Sequence, residues 1–407
     1  MTVSTAPLSE RRYAELYLGL LTLFLVVFGA GLPALGGLFL WRAGEFTALP
    51  EIVARQQADG SIYGSALHDD EFAHKLALAT ARRAEVLALG SSRVLQLRQE
   101  FFLRPFTNAG RAMSSLREGE EFLAALPAVA RPRLMIIGLD PWWFNPQRPA
   151  YAPRRPRSGL SVGFLHLVAD WLWQAKLGLG DLWRVAVRGR KANGLTSHPG
   201  IGVAAIIRAA GYRADGSREY GRRYTAQDPT FDDQGFGNTL GRLAKADGPF
   251  EHGEQAAAAR FAQFDALLAD LRADGVTPVV IMTPLAGRVL AAMDGMGVAF
   301  GYLAEVRTYL AGLPVESYDF LDPAALGAGD CEFVDGFHGG EVVYQRVLLA
   351  ILERNPASAL APLLDAAALR AATAASGRAL GPRSAAEYSA TEADFLELGC
   401  AKAAGGS

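Results

Sequence analysis

Three side chains in this sequence have the types and the order that serine-based chemistry requires. Ser92 follows Gly90 and Ser91 at the end of a short apolar run, and Asp335 and His338 stand close together far downstream. A serine hydroxyl becomes a nucleophile when a base takes its proton, and an acid then holds the base in position. We therefore predict Ser92 as nucleophile, His338 as base and Asp335 as the orienting acid. The competing interpretation is structural, with Ser92 as a helix cap and His338 as a hydrogen-bonded core residue.

Strands and helices must bring these distant residues together. Five short segments are predicted as strands: three are apolar runs typical of strands buried in a parallel sheet, and two, 106–111 and 315–321, are short extended segments of mixed composition. They cover 85–91, 106–111, 133–140, 277–284 and 315–321. Helical periodicity covers 114–126, 255–273, 288–311 and 341–353. This alternation predicts an α/β fold with a parallel sheet, and in such sheets a ligand lies at the carboxyl ends of the strands, where Ser92 is expected.

Composition limits the kinds of partner. The chain has 407 residues and a formal net charge of -2, which gives no reason to expect nucleic acid. No Cys/His spacing resembles a zinc site, and we expect neither a metal nor a cofactor. The run from Leu67 to His74 places two histidines among acids, which is either a metal site or a solvated helical face. Cys331 and Cys400 are either one disulfide, which would tie the tail to the loop before His338, or two unlinked thiols.

The amino-terminal region contains a long apolar segment, 16–41. Arg11 and Arg12 precede it, and about 20 such residues span a bilayer. These features predict one transmembrane helix over 16–41, with 1–15 in the cytoplasm and the remainder outside. The alternative is a cleaved signal peptide, although the apolar run exceeds the usual length of such a segment.

Beyond the anchor, the sequence divides into three parts. Residues 42–84 are expected as a juxtamembrane linker, 85–355 as the main domain, and 356–407 as an Ala/Gly-rich tail that is either a loose surface helix or disordered. Residues 146–252 interrupt the strand–helix alternation and are expected as an inserted cap. Within this cap, 160–187 carries tryptophans at intervals. It is either an amphipathic segment that lies on the membrane or against a membrane partner, or an ordinary helical insertion that packs its tryptophans inward, and the second is favoured.

Four short blocks resemble the SGNH/GDSL hydrolase superfamily in content and order. They are Gly90-Ser91-Ser92, Asn108-Ala109-Gly110, Gly138-Leu139-Asp140 and Asp335 to His338. The resemblance implies a three-layer α/β/α, flavodoxin-like domain. It also implies that Ser92 is the nucleophile, that Asp335 and His338 are the acid and the base, and that the Gly110 N–H helps to form the oxyanion hole.

One position departs from the family pattern. Asp140 stands where the family has an oxyanion-binding asparagine, and a carboxylate would repel a developing oxyanion. Either Asp140 points away, or it is protonated, or another donor serves, the candidates being Asn108, Asn145 and the Ser92 N–H.

Two further side chains near these blocks have open roles. Arg93 either contacts an anionic substrate or faces solvent. Trp142, with its neighbour Trp143, either stacks on a sugar or packs internally.

Gly-Ser-Ser together with Pro141-Trp-Trp-Phe144, behind one amino-terminal anchor, is similar to a membrane-anchored branch of this superfamily. That branch includes the D-alanyl-transfer protein of the teichoic-acid system and the SGNH-like partners of membrane-bound O-acyltransferases. The resemblance implies a serine acyltransferase on the periplasmic side of the inner membrane. It would form an acyl-enzyme, modify a cell-surface glycan and work beside a membrane-bound O-acyltransferase. The alternatives are a serine esterase or glycan deacetylase, and a non-catalytic accessory protein of an envelope acylation complex.

Overall fold

The computed structural model describes residues 10–67, 70–150, 198–221, 233–376 and 394–400. The strands, in chain order, are β1 (Ile62–Tyr63), β2 (Val86–Gly90), β3 (Phe106–Gly110), β4 (Leu134–Leu139), β5 (Gly200–Ile201), β6 (Gly211–Tyr212), β7 (Arg218–Glu219), β8 (Thr277–Met282) and β9 (Glu316–Asp319). The helices are α1 (Glu10–Phe24), α2 (Leu32–Ala43), α3 (Leu49–Asp59), α4 (Glu71–Arg82), α5 (Leu116–Ala125), α6 (Val203–Arg208), α7 (Gly237–Ala244), α8 (Ala258–Ala273), α9 (Gly287–Gly295), α10 (Tyr302–Ala311), α11 (Glu341–Arg354) and α12 (Ala366–Ser376).

The central sheet has five strands, all parallel, in the order β3-β2-β4-β8-β9. The predicted α/β protein with a parallel sheet is thereby confirmed. Counted along the chain, the strand order is 2-1-3-4-5, that of a doubly wound sheet whose direction of winding changes between β2 and β4. Ligands in such sheets bind beside this change, at the carboxyl ends of the strands.

Both faces of the sheet are buried. Alternate side chains of each strand point to opposite faces, and a hydrophobic cluster covers each face. In β2, Val86 and Ala88 belong to a cluster that α11 covers. Leu87 and Leu89 belong to the opposite cluster, which includes side chains of α5 and α8. The sheet is therefore held between helices, and its carboxyl edge is positioned by packing from both sides.

The single helix predicted over 288–311 is two helices, α9 and α10. A short 3₁₀ segment, Gly297–Phe300, separates them, and Gly297 has a φ of 57°. A left-handed backbone conformation ends an α-helix, and glycine adopts it without a steric penalty. The hydrophobic periodicity continues across this break, and for this reason the sequence pattern predicted one element.

The segment 42–84, expected as a linker, carries α3, β1 and α4. Helix α4 buries His74, Lys75, Leu78 and Ala79. Strand β1 joins a small second sheet of order β5-β1-β6-β7, in which every strand has two residues. Residues 198–221, from the expected cap, supply the other strands of this sheet. The linker segment and this part of the cap therefore fold together.

The turn between β6 and β7 covers the outer edge of the central sheet. The N–H of Asn108 in β3 donates to the carbonyl of Asp215 at 2.7 Å. Gly216 follows with a φ of 86°, and a Cβ there would overlap the carbonyl oxygen of Asn108. The contact satisfies a backbone donor that an edge strand would otherwise expose.

The apolar segment 16–41 is divided between α1 and α2, with a π-helical stretch, Leu25–Gly31, between them. Within the described residues, no helix combines the length and the apolar character needed to cross a bilayer, so the single transmembrane helix predicted over 16–41 is not found. The division falls where Gly29, Gly31 and Pro33 occur, and such residues weaken the regular hydrogen-bond ladder of an α-helix.

The carboxyl-terminal region is packed onto the domain at two places. Leu369 of α12 joins the cluster under α11, and Phe395 and Leu396 are buried in the opposite cluster. A disulfide joins Cys331 to Cys400, with 5.8 Å between their Cα atoms, so the bridged alternative is the one observed. The segment 160–187, for which two alternatives were predicted, lies outside the described residues.

Candidate active site

Ser92 occupies the turn that leaves β2. Ser91 caps this turn by accepting a hydrogen bond from the N–H of Arg93 at 3.2 Å, and Ser92 is the first residue of the 3₁₀ helix Ser92–Val94. The capping role proposed as the alternative for Ser92 therefore belongs to Ser91. Ser92 itself is partly exposed.

A row of three glycines gives this turn its place on the sheet. Gly90, Gly110 and Gly138 are aligned across β2, β3 and β4. A Cβ on Gly90 or Gly110 would lie 3.0 Å from a methyl group of Val94, and one on Gly138 would overlap that side chain. Val94 is buried. The absence of side chains in this row thus allows the turn that carries Ser92 to lie directly over the strand ends.

His338 lies in a loop between a 3₁₀ turn, Asp330–Glu332, and α11. Oδ1 of Asp335 accepts the N–H groups of Phe337 at 2.9 Å and of His338 at 2.8 Å. The Val334 N–H donates to the His338 carbonyl at 2.7 Å, and the Gly336 N–H donates to the carboxylate of Asp233 at 2.9 Å. These bonds fix the imidazole relative to the carboxylate within one short loop.

The three predicted side chains meet at the carboxyl edge of the sheet. Nδ1 of His338 is 2.8 and 2.9 Å from the two carboxylate oxygens of Asp335, and Nε2 is 2.8 Å from Oγ of Ser92. Because a carboxylate only accepts hydrogen bonds, the neutral imidazole carries its proton on Nδ1 and presents the Nε2 lone pair to the serine hydroxyl. The side chains of His338 and Asp335 are 19% and 15% exposed. The arrangement is that of a nucleophile, a base and an orienting acid.

Arg93 and Asp140 form a buried ion pair beneath this edge. Nη1 of Arg93 donates to Oδ1 of Asp140 at 3.1 Å, and each side chain is 1% exposed. Burial raises the pKa of Asp140 above its usual value, while the charge of Arg93 lowers it. Arg93 therefore neither faces solvent nor reaches out to a substrate, and the Asp140 oxygen is directed at the guanidinium.

Trp142 and Trp143 are both 2% exposed and hence packed internally. The ring of Trp142 stacks on Phe337 with 5.0 Å between centroids. The Arg93 guanidinium carbon lies 4.9 Å from the Trp142 ring and 5.5 Å from the Phe337 ring. The stack connects the block after β4 with the loop that carries His338.

Three of the expected oxyanion donors are engaged elsewhere. The Gly110 N–H donates to Oδ1 of Asn108 at 2.8 Å, and the Asn108 amide donates to the carbonyls of Val94 and Leu97. The Asn145 amide donates to the Glu251 carbonyl.

The Ser92 N–H differs from these three in its position. It is at the start of a 3₁₀ helix, where the helix supplies no acceptor. This N–H is consequently the candidate donor that the geometry favours.

His74 does not form part of an exposed face. It is buried, and its Nε2 is 2.8 Å from Oε1 of Gln56. Its ring contacts those of Tyr63 and Tyr212, with 4.9 and 5.4 Å between centroids. His68 and Asp69 lie outside the described residues.

The sequence interpretation missed two residues that contact the site. They are Tyr344 and Thr283. The Tyr344 hydroxyl donates to the carbonyl of Arg93, and the carbonyl of Thr283 accepts a hydrogen bond from Nη2 of Arg93. Thr283 directly follows β8, and a polar residue at a strand end was an available indication. Tyr344 lies within a largely apolar helix, and nothing in the pattern distinguished it from core.

The chain matches no protein-family model, and no curated protein or solved structure is significantly similar to it.

Proposed function

We propose that this protein is an SGNH-like serine acyltransferase that forms an acyl-enzyme on Ser92 and passes the acyl group to a hydroxyl of a cell-envelope glycan. The observation that carries the proposal is the chain of hydrogen bonds from Ser92 through His338 to Asp335. The strand order supports the finer assignment, because it is the flavodoxin-like order expected of such a domain.

The chemistry follows from this geometry in two half-reactions. Oγ of Ser92 attacks the acyl carbon of an ester donor while Nε2 of His338 takes the hydroxyl proton, and the leaving alcohol departs with that proton. An acceptor hydroxyl then gives its proton to His338, attacks the acyl-enzyme and releases Ser92, which recovers the proton. Asp335 keeps Nδ1 protonated throughout and stabilises the transient imidazolium.

The developing oxyanion requires donors that the family pattern does not supply here. The proposal assigns this role to the Ser92 N–H, since the amide groups of Asn108, Gly110 and Asn145 are engaged. A single backbone donor stabilises an oxyanion less than a complete hole would, and removal of one donor typically slows catalysis about 10²–10³-fold. We therefore expect slow turnover with simple esters.

The proposed location is outside the cytoplasm, on the outer side of the inner membrane. The Cys331–Cys400 disulfide supports it, because such bonds persist mainly in oxidising compartments. The exposed apolar side chains from Leu16 to Val26 support contact with the bilayer or with a membrane-bound acyltransferase that supplies the acyl group. Alkylation of thiols in intact, acid-quenched cells tests the location, and free thiols at both cysteines would contradict it.

The test of the mechanism uses the full chain and two neighbouring serines. A fluorophosphonate probe should label the wild type and, at a lower rate, the Ser91→Ala variant, because Ser91 supports the turn and Asp140 but does not supply the nucleophile. The Ser92→Ala variant should not be labelled. Equal labelling of Ser92→Ala and wild type, or no labelling of the wild type, would overturn the proposal.

A second measurement separates transfer from hydrolysis. The protein is incubated with p-nitrophenyl acetate, with and without a soluble oligosaccharide. Acetylated oligosaccharide, detected by mass spectrometry and absent with Ser92→Ala, supports the acyltransferase. Acetate as the sole product in both incubations would replace it with the esterase.

A further inference from the structure

We infer that the buried Arg93–Asp140 pair is a positioning device that aligns Ser92 with His338, and that Asp140 is the charge partner of Arg93 and not a member of the oxyanion hole. The inference rests on the proposed function and adds two positioning residues to it. Arg93 directly follows Ser92 in the chain, and Phe337 directly precedes His338.

The Arg93 side chain joins three parts of the site. Its guanidinium donates to Asp140, which follows β4, and to the carbonyl of Thr283, which follows β8. The same group lies 4.9 Å from the ring of Trp142 and 5.5 Å from that of Phe337. One planar cation therefore contacts two strand ends and the neighbour of the base.

The backbone of Arg93 is fixed as well. Its N–H donates to Oγ of Ser91 at 3.2 Å, and its carbonyl accepts from the Tyr344 hydroxyl of α11. Helix α11 follows the His338 loop directly. Arg93, the residue after the nucleophile, is thus attached to α11 through its carbonyl and contacts Phe337, the residue before the base, through its side chain.

Burial makes Asp140 necessary for this attachment. A cation that is 1% exposed is stable only when a counter-charge and hydrogen bonds replace its water. Arginine is suited to the site because its flat fork can donate in two directions while its faces pack on aromatic rings. Asparagine at position 140 would keep the shape but leave the cation without a counter-charge.

The Asp140→Asn variant separates the two possible roles of this residue. An oxyanion residue would gain an N–H donor from the change, and labelling of Ser92 would accelerate. A partner of Arg93 would lose its charge, and the labelling rate should fall roughly tenfold to a hundredfold, as a displacement of about 1 Å costs. A rate equal to or above that of the wild type would overturn the inference.

A double variant distinguishes positioning from a general loss of stability. Arg93→Met combined with Asp140→Leu removes both charges, and the melting temperature should rise above that of Asp140→Asn. The labelling rate should stay low, because the bonds to Asp140 and Thr283 are gone. Recovery of the wild-type rate would contradict positioning. Asp319→Asn, in the exposed pair with Arg307, is the matched control and should label at the wild-type rate.

The ¹⁵N resonance of Nε2 in His338 tests the alignment without using activity. It should shift in Asp140→Asn toward its value in Ser92→Ala, where the serine hydrogen bond is absent. An unchanged wild-type resonance would overturn the positioning inference. If the wild-type protein itself labels no serine, the acyltransferase proposal fails, and this resonance still decides whether Asp140 aligns the two side chains.

Discussion

Val94 occupies the space that any side chain at Gly138 would need. A Cβ on Gly138 would overlap Cγ1 of Val94, which lies two positions after Ser92. The turn that carries Ser92 therefore lies against the end of β4, at a position where only glycine leaves enough space. Because Val94 is buried in a close-packed interior, a side chain at position 138 would have to displace it.

This contact predicts a rescue experiment. Gly138→Ala should lower the unfolding free energy by about 1–3 kcal/mol through overpacking and should slow labelling of Ser92. Combining it with Val94→Ala should restore much of the labelling rate, because the two methyl groups removed make room for the one added. If the double variant is labelled no faster than Gly138→Ala, the contact between Val94 and Gly138 does not control the position of Ser92. Labelling rates and urea denaturation measure the two effects.

Asp335→Asn should slow fluorophosphonate labelling of Ser92 about 10²–10⁴-fold and should change the stability of the protein little. The amide places an N–H group against Nδ1 of His338, which disfavours the proton there and moves it to Nε2. The Ser92 hydroxyl then loses its acceptor. The rate of fluorophosphonate labelling measures the effect. Asp330→Asn, in the 3₁₀ turn before this loop and paired with Arg288, is the control, and equal rates for the two variants would contradict the assigned role of Asp335.

Reduction of Cys331–Cys400 should destabilise the protein by roughly 2–4 kcal/mol, because the bridge closes a loop whose ends are 69 residues apart. It also holds the segment in which Phe395 and Leu396 are buried. Urea denaturation with and without reductant measures the change. The Cys331→Ser/Cys400→Ser variant should match the reduced wild type and should not respond to reductant. A reductant-insensitive wild-type curve would contradict this expectation.

Lys75 should make stability depend on pH. Burial lowers the pKa of Lys75 to about 7, although its ammonium lies against the ring of Tyr212 and donates to the carbonyls of Asn108 and Gly216. Above this pH the unfolded chain binds a proton that the folded chain does not. The unfolding free energy is therefore highest above the pKa of Lys75 in the unfolded chain, and it decreases as the pH falls from there toward 7.

The measurement compares urea denaturation of the wild type and of Lys75→Met between pH 7 and 9.5. Relative to the variant, the unfolding free energy of the wild type should increase with pH, with a slope approaching ~1.4 kcal/mol per pH unit. Parallel pH profiles would show that Lys75 carries its proton in both states over this range.

The central sheet was predictable because its information is local. Strands β2, β4 and β8 are short apolar runs, and each end of the five observed strands lies within two residues of its predicted bound. Where the pattern was ambiguous the prediction failed. The helical periodicity over 288–311 continues across the break at Gly297, and one helix was predicted where two occur. The apolar character of 16–41 did not indicate that the helix is interrupted near Gly29, Gly31 and Pro33.

By itself, the sequence determined the strand pattern and the residue types of the site, including the short-range pairing of Asp335 with His338. Only the tertiary structure decided that Ser92 meets an imidazole 246 positions away and that Arg93 turns inward to Asp140. It also decided that the Gly110 N–H is used by Asn108. The physical reason is that strand propensity and turn chemistry act over a few neighbouring residues. Burial, charge pairing and donor availability depend instead on which distant side chains the packed sheet brings to one edge.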